Sequence, residues 1–162
     1  MSPECRIQIG ALPDVPQIVI LMEQYWSFEG IAGFESARMA QLLEHMLSQP
    51  HLGTIWVARE DSELVGYLIA VFIFSFEYRG LVAEIDELFV LPQARCHGIG
   101  TALLDRAETS VADAGCIRVQ LQLGTANRAA RAFYHRRGYA ARTEYELVGK
   151  HLADASVGQV DH

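Results

Sequence analysis

Apolar and polar positions alternate from Cys5 to Ile9, which predicts a short strand. Leu12-Pro13-Asp14 reads as a helix start, with Asp14 as N-cap and Pro16 tolerated in the first turn. Val15, Ile18, Val19, Met22, Tyr25 and Trp26 follow at helical spacing. Gly30 to Phe34 reads as a loop. Ser36 is the expected cap of a second helix, with Met39, Leu42, Leu43, Met46 and Leu47 on one face and Pro50 as its stop. Runs rich in Ile, Val, Trp and other apolar residues then predict strands at Gly53 to Arg59, Leu64 to Phe76 and Leu81 to Val90, joined by turns at Asp61-Ser62 and Glu77 to Gly80. Gly98 to Ala114 reads as a strong helix with Ile99, Leu103, Ala107 and Val111 inward and Gly115 closing it. A strand at Cys116 to Leu123, a helix at Ala126 to Arg137 closed by Gly138, and a last strand at Tyr139 to Val148 complete the series. Ala153 to His162 is small, polar and aperiodic and reads as a frayed tail. The order β-α-α-β-β-β-α-β-α-β describes a mixed α/β (α+β) domain.

Length and composition narrow this picture. The 162 residues suit one domain, expected over residues 1–150, with a flexible tail over 151–162. Half of the residues are hydrophobic (51%) and 20% are charged, which excludes global disorder. Cys5, Cys96 and Cys116 form no CxxC pair and are odd in number, so neither a disulfide framework nor a zinc knuckle is expected. The first ten residues do not resemble a signal peptide, and the apolar run Leu64 to Phe76 is too short to span a bilayer. A cytoplasmic protein without a membrane partner is the expectation. The net charge of −7, with twelve arginines and one lysine, excludes an overall basic field for nucleic acid. The histidines are scattered, so no metal site is expected.

Candidate chemistry begins at Arg95-Cys96-His97-Gly98-Ile99-Gly100-Thr101. There a strand gives way to a helix that opens on two spaced glycines. Unpartnered N–H groups and the helix dipole suit such a start to a pyrophosphate, and Arg95 and His97 could add charge. A P-loop would need Gly-Lys-Ser/Thr, and a dinucleotide fingerprint would need a small residue where Leu103 stands, so both fail. A plain helix start remains the alternative at this point.

The wider segment is more specific. Arg95-x-x-Gly98-x-Gly100, preceded by Val90-x-Pro92 and followed by Leu103-Leu104, resembles the acyl-CoA pyrophosphate loop of the GNAT N-acetyltransferase superfamily. Asn127-x-x-Ala130-x-x-Phe133-Tyr134-x-x-x-Gly138-Tyr139 is similar to the family's downstream signature. The resemblance spans roughly residues 5 to 148 and implies a mixed sheet of about six to seven strands flanked by about four helices. It implies acetyl-CoA as co-substrate, without a metal. Strand Ile85 to Val90 should splay from Cys116 to Leu123, so that Leu88, Phe89 and Val90 bond the pantetheine through their backbone. The amides from Cys96 through His97, Gly98, Ile99 and Gly100 to Thr101 would hold the pyrophosphate. Asn127 and Ala130 would lie toward the cofactor, and Tyr134 would protonate the departing thiolate. Cys96 replaces the usual first glycine of the loop. If the backbone there requires a positive φ, cysteine carries a penalty.

Acetylation of an amine requires a base, because an alkyl ammonium must first lose a proton. Glu84, Asp86 and Glu87 lie together in the third meander strand. Simple alternation puts Glu84 and Asp86 on one face and Glu87 on the other, and a β-bulge would shift that parity. Ile85 to Val90 is similar to the corresponding strand of polyamine acetyltransferases, where the residue matching Asp86 contacts the amine. Asp86 and Glu87 are therefore the expected base or acceptor-binding residues, with Glu84 third. Tyr25, Trp26 and Phe28 read as core, whereas Glu29 and Phe34 stand where the resemblance places acceptor contacts. The expected reaction is direct transfer, in a ternary complex, to a primary amine of a small cationic molecule. The alternatives are a peptide or protein N-terminus as acceptor, or a non-catalytic CoA-binding sensor. A homodimer is an expectation from the family alone, through the last strand or the strand Leu64 to Phe76.

Overall fold

Segments rich in Val, Ile, Leu and aromatic residues form a five-stranded sheet in this computed structural model, which describes residues 4–152. The strands are β1 (Cys5–Ile9), β2 (Gly53–Glu60), β3 (Glu63–Ser75), β4 (Gly80–Val90) and β5 (Cys116–Leu121), and they lie side by side in chain order. β1 to β4 are antiparallel, and β5 runs parallel to β4. The helices are α1 (Val15–Glu29), α2 (Ser36–Ser48), α3 (Ile99–Asp113) and α4 (Arg128–Arg136). α3 is the crossover that a parallel β4–β5 pair requires.

Sheet and helices stack because each presents an apolar face to the other. Val15, Ile18, Val19, Leu21 and Met22 of α1 and Leu43 of α2 pack on Ile55, Val57, Tyr67, Ile69 and Phe89. Ile99, Leu103, Leu104, Ala107 and Val111 are the buried residues of α3, which packs on the sheet. Each buried Leu, Ile or Val contributes about 1.5–3 kcal/mol, so this core needs no covalent staple. The chain divides into two compact units, Met1–Gln122 with the whole sheet and α1 to α3, and Leu123–His162 with α4.

Several local expectations change. Asp14 already has helical backbone (φ −83°, ψ −15°), which is not N-cap geometry. Its carboxylate instead accepts from the Ala11 N–H (3.0 Å) and pairs with Arg59. Ser36 is the first helical residue, and extended Glu35 occupies the cap position without a side-chain bond. Leu42 is 44% exposed, since the face of α2 that meets the core is narrow and centres on Leu43. The sheet has five strands rather than six or seven, and β5 ends at Leu121. Tyr139 to Val148 forms no strand: it alternates but lies mostly exposed, and a strand is made by pairing, which alternation does not supply. The tail expected from Ala153 lies outside the described residues.

Candidate active site

Two irregularities in β4 build the site. Opposite β3, Ile69 pairs with Glu87 and Ala70 with Ile85, so Asp86 is the extra residue of a β-bulge. Glu84 faces Val71 and Glu87 faces Ile69, and those partners are two residues apart on β3. The bulge therefore brings Glu84 and Glu87 onto the same face, the one covered by α1 and α2. Simple alternation had separated them. On its other edge, β4 pairs with β5 only from Leu81 to Ile85, and no strand continues beside Asp86 to Val90. The Leu91 N–H bonds to the Val65 carbonyl (2.8 Å). Antiparallel alternation then turns the backbone groups of Leu88 and Val90 toward the open edge and those of Phe89 toward β3. Of the three, Leu88 and Val90 can accept an added strand-like ligand, although the Val90 carbonyl already accepts from Arg95 Nε (2.9 Å).

Glu87 is the centre of the acidic group. It is only 8% exposed. Its Oε2 accepts from Trp26 Nε1 of α1 (3.0 Å), and its Oε1 from the Tyr67 hydroxyl of β3 (2.8 Å). Burial raises the Glu87 carboxyl above its ordinary range; the two hydrogen bonds offset part of that rise, and the Asp86 charge adds to it. Burial pushes the Tyr67 hydroxyl strongly up, and the Glu87 charge adds to it. Tyr25 rises to about 12, first by burial and then through Glu87, Glu29 and Asp86. Asp86 reaches solvent at the bulge, and its carboxyl is raised by partial burial and by Glu84. Glu84 accepts from Gln120 Nε2 of β5 (3.0 Å). None of Glu29, Glu84, Asp86 and Glu87 forms an ion pair among the described residues. Aromatic rings wall the group: Trp26 meets Phe34 edge-on at 5.4 Å, and Tyr25 meets Phe89 at 6.0 Å.

The loop after β4 has the geometry of an anion cradle. Cys96 (φ 65°) and Gly98 (φ 78°) both have left-handed backbone, and α3 begins at Ile99 without a side-chain cap. The first amides of α3 thus lack intrahelical acceptors. A Cβ at Gly98 would meet nothing within 4 Å, so the space beside it is open. Arg95 is not directed to the loop alone. Its guanidinium lies over Phe28 (5.0 Å) and Phe89 (5.5 Å). Phe28, expected in the core, is 64% exposed. The His97 ring Nδ1 contacts the Ala94 carbonyl (3.2 Å).

The second unit carries the other signature residues. Asn127 caps α4: its Oδ1 accepts from the Ala130 N–H at 3.1 Å. Gly138 (φ 89°) turns the chain out of the helix, and the Tyr139 N–H returns to the Tyr134 carbonyl (3.1 Å). Tyr134 is buried, with its ring 5.3 Å from Tyr139 and 5.1 Å from Phe133.

A splayed parallel pair, a bulged acidic strand and a glycine-marked helix start agree with one family model, the acetyltransferase (GNAT) family, which matches residues 18–139. The chain belongs to the GNAT family. It is an acetyl-CoA-dependent N-acetyltransferase by class. An uncharacterized N-acetyltransferase, YhfO, from Bacillus subtilis is 29% identical over 144 residues, covering 86% of this chain and 93% of that one. An aminoalkylphosphonate N-acetyltransferase of Salmonella typhimurium is 35% identical over 83 residues, 51% of this chain and 54% of that one. Among solved structures, the integron cassette protein HFX_CASS3 from a salt-marsh metagenome superposes with a TM-score of 0.80 at 30% identity, over 91% of both chains. A predicted acetyltransferase with acetyl-CoA from Clostridium acetobutylicum shares the fold, with a TM-score of 0.77 at 18% identity over 90% and 96% of the two chains. Among the described residues no His, Cys, Asp and Glu group could hold a metal, and no helix is long and apolar enough to cross a membrane.

Within this GNAT chain the structure gathers Glu84, Asp86, Glu87, Leu88, Val90 and Arg95 around one end of β4. Trp26 and Tyr67 were missed as partners of Glu87. They lie 61 and 20 residues from it in sequence, and no local pattern connects them.

Proposed function

We propose that this enzyme transfers the acetyl group of acetyl-CoA directly to the primary amine of a small cationic molecule. The observation that carries this reading is the group of carboxylates without protein counter-ions, lined by Tyr25, Trp26 and Phe34. Unpaired negative charge beside aromatic faces favours an alkyl ammonium over an anionic acceptor. The similarity of the strand Ile85 to Val90 to polyamine acetyltransferases supports the same class. The Salmonella relative is named for an aminoalkylphosphonate, a small amine that also carries an anionic phosphonate, so it supports a small amine acceptor and not its net positive charge.

The residues present fit acetyl-CoA. Backbone groups of Leu88 and Val90 offer an open strand edge to its amide-bearing arm. The loop from Cys96 to Thr101 offers amides to its pyrophosphate. Acetyl-CoA supplies the activated acyl group. The Leu88 N–H would stabilise developing charge on the carbonyl oxygen. The carboxylates Asp86 and Glu87 would bind the ammonium and take its proton. Tyr134 would give its hydroxyl proton to the leaving sulfur, and Asn127 and Ala130 would border the cofactor.

A thiol-release assay over polyamines, basic amino acids, aminoglycosides, neutral amines and peptides tests the reading. Cationic small amines should turn over fastest, with intersecting initial-velocity lines. Turnover confined to peptide N-termini would refute the small-molecule acceptor, and parallel lines would refute direct transfer.

A further inference from the structure

Glu87 differs from its acidic neighbours in what holds it. Each of its oxygens accepts one hydrogen bond, from Trp26 Nε1 at 3.0 Å and from the Tyr67 hydroxyl at 2.8 Å. An indole N–H can only donate. Two donors on one carboxyl match its ionised form; a proton on Oε1 would require the Tyr67 hydroxyl to turn from donor to acceptor. Tyr67 is fully buried, with 0% exposure, so its hydroxyl has few other partners. Asp86 is the opposite case. It is the unpaired residue of the bulge and reaches solvent.

We propose that Trp26 and Tyr67 are positioning residues of the acceptor site: they hold Glu87 as a fixed anion that binds the acceptor ammonium, and leave removal of its proton to Asp86. This rests on the amine-acetyltransferase reading. In the proton step an ammonium N–H bond breaks and an Asp86 O–H bond forms, and the nitrogen keeps the electron pair. That pair then forms the amide bond as the thioester C–S bond breaks; the nitrogen releases its second proton as the amide forms and the leaving sulfur takes up one proton, so the net proton released is the one Asp86 holds. Around Glu87, the titratable groups are Tyr25 on α1, Tyr67 on β3 and Asp86 on β4, with Glu29 beside Tyr25 and Glu84 beside Asp86. Both carboxyls are raised above their ordinary range; what separates them is that Asp86 reaches solvent at the bulge while both Glu87 oxygens are held by donors.

Two measurements decide the matter. The first needs no acceptor: carboxyl carbon-13 NMR titration of the full chain, with Glu87 assigned by its loss in Glu87→Gln. Glu87 should be ionised at pH 7, and its midpoint should rise by about one pH unit in Tyr67→Phe or Trp26→Phe. An unmoved midpoint in folded variants overturns the clamp. The second uses an amine that the wild type acetylates. Asp86→Asn should lower kcat about 100-fold and abolish the acid limb of the pH–rate profile. Glu87→Gln should keep that limb, keep acetyl-CoA affinity and raise the acceptor KM about tenfold. The reverse assignment overturns the division of roles. If Trp26→Phe or Tyr67→Phe fails to fold, the Asp86 and Glu87 pair still decides. If no amine is acetylated by the wild type, the functional reading falls, while the NMR titration still decides the clamp.

Discussion

Cys96 has φ 65°, a left-handed conformation that glycine adopts freely and other residues adopt at a penalty. That penalty is about 1–2 kcal/mol for a residue with a Cβ. Replacement by glycine also loosens the unfolded chain, which offsets about 0.5–1 kcal/mol. Cys96→Gly should therefore stabilise the protein by about 1 kcal/mol, a rise in Tm of about 2–4 °C for a chain of this size. Differential scanning calorimetry measures it. Cys96→Ala separates the thiol from the backbone and should leave Tm near the wild type. Gly98→Ala is the converse case: φ is 78° and a Cβ meets nothing within 4 Å, so any loss is conformational. It should lower stability by about 1 kcal/mol or more. A lower Tm for Cys96→Gly, or a rise matched by Cys96→Ala, would show that the left-handed backbone is not what limits this loop.

Further outcomes are expected elsewhere. A Cβ at Gly53 would lie 2.2 Å from the Ala70 carbonyl oxygen, which is backbone and cannot swing away; Gly53→Ala should destabilise by about 3 kcal/mol in urea unfolding by disturbing the β2–β3 ladder. Asp86 has a folded-state pKa raised above the ordinary 3.8, so the folded chain holds that proton more tightly than the unfolded chain. Its contribution to stability is full below that ordinary value and is lost as pH rises through the folded one. Asp86→Asn should flatten this part of the Tm-against-pH curve. Tyr134→Phe should lower kcat at least tenfold with acetyl-CoA affinity, by titration calorimetry, within about twofold; unchanged turnover would remove Tyr134 as the acid.

The elements were legible because their signals are local. Ile99, Leu103, Ala107 and Val111 repeat at helical spacing, and all four are buried. The β2–β3–β4 meander follows from apolar, β-branched-rich runs between turns. Tyr139 to Val148 alternates and forms no strand, because alternation describes a surface and says nothing about whether an edge is free to receive it. Asp14 and Ser36 look like caps by residue type, yet the competing Arg59 partner of Asp14 comes from 45 residues away.

The candidate site divides along the same line. By itself, the sequence determined the loop Arg95 to Thr101, the presence of three acids in one strand, and the family to which these residues belong. Each is a matter of residue type at short spacing. Tertiary structure alone decided which acids share a face. One extra residue at Asp86 reverses the parity of the strand and turns Glu87 to the same face as Glu84, where Trp26 and Tyr67 reach it from two other elements. A bulge is a property of the pairing between β3 and β4, and a hydrogen bond across 61 residues exists only once α1 is packed on the sheet.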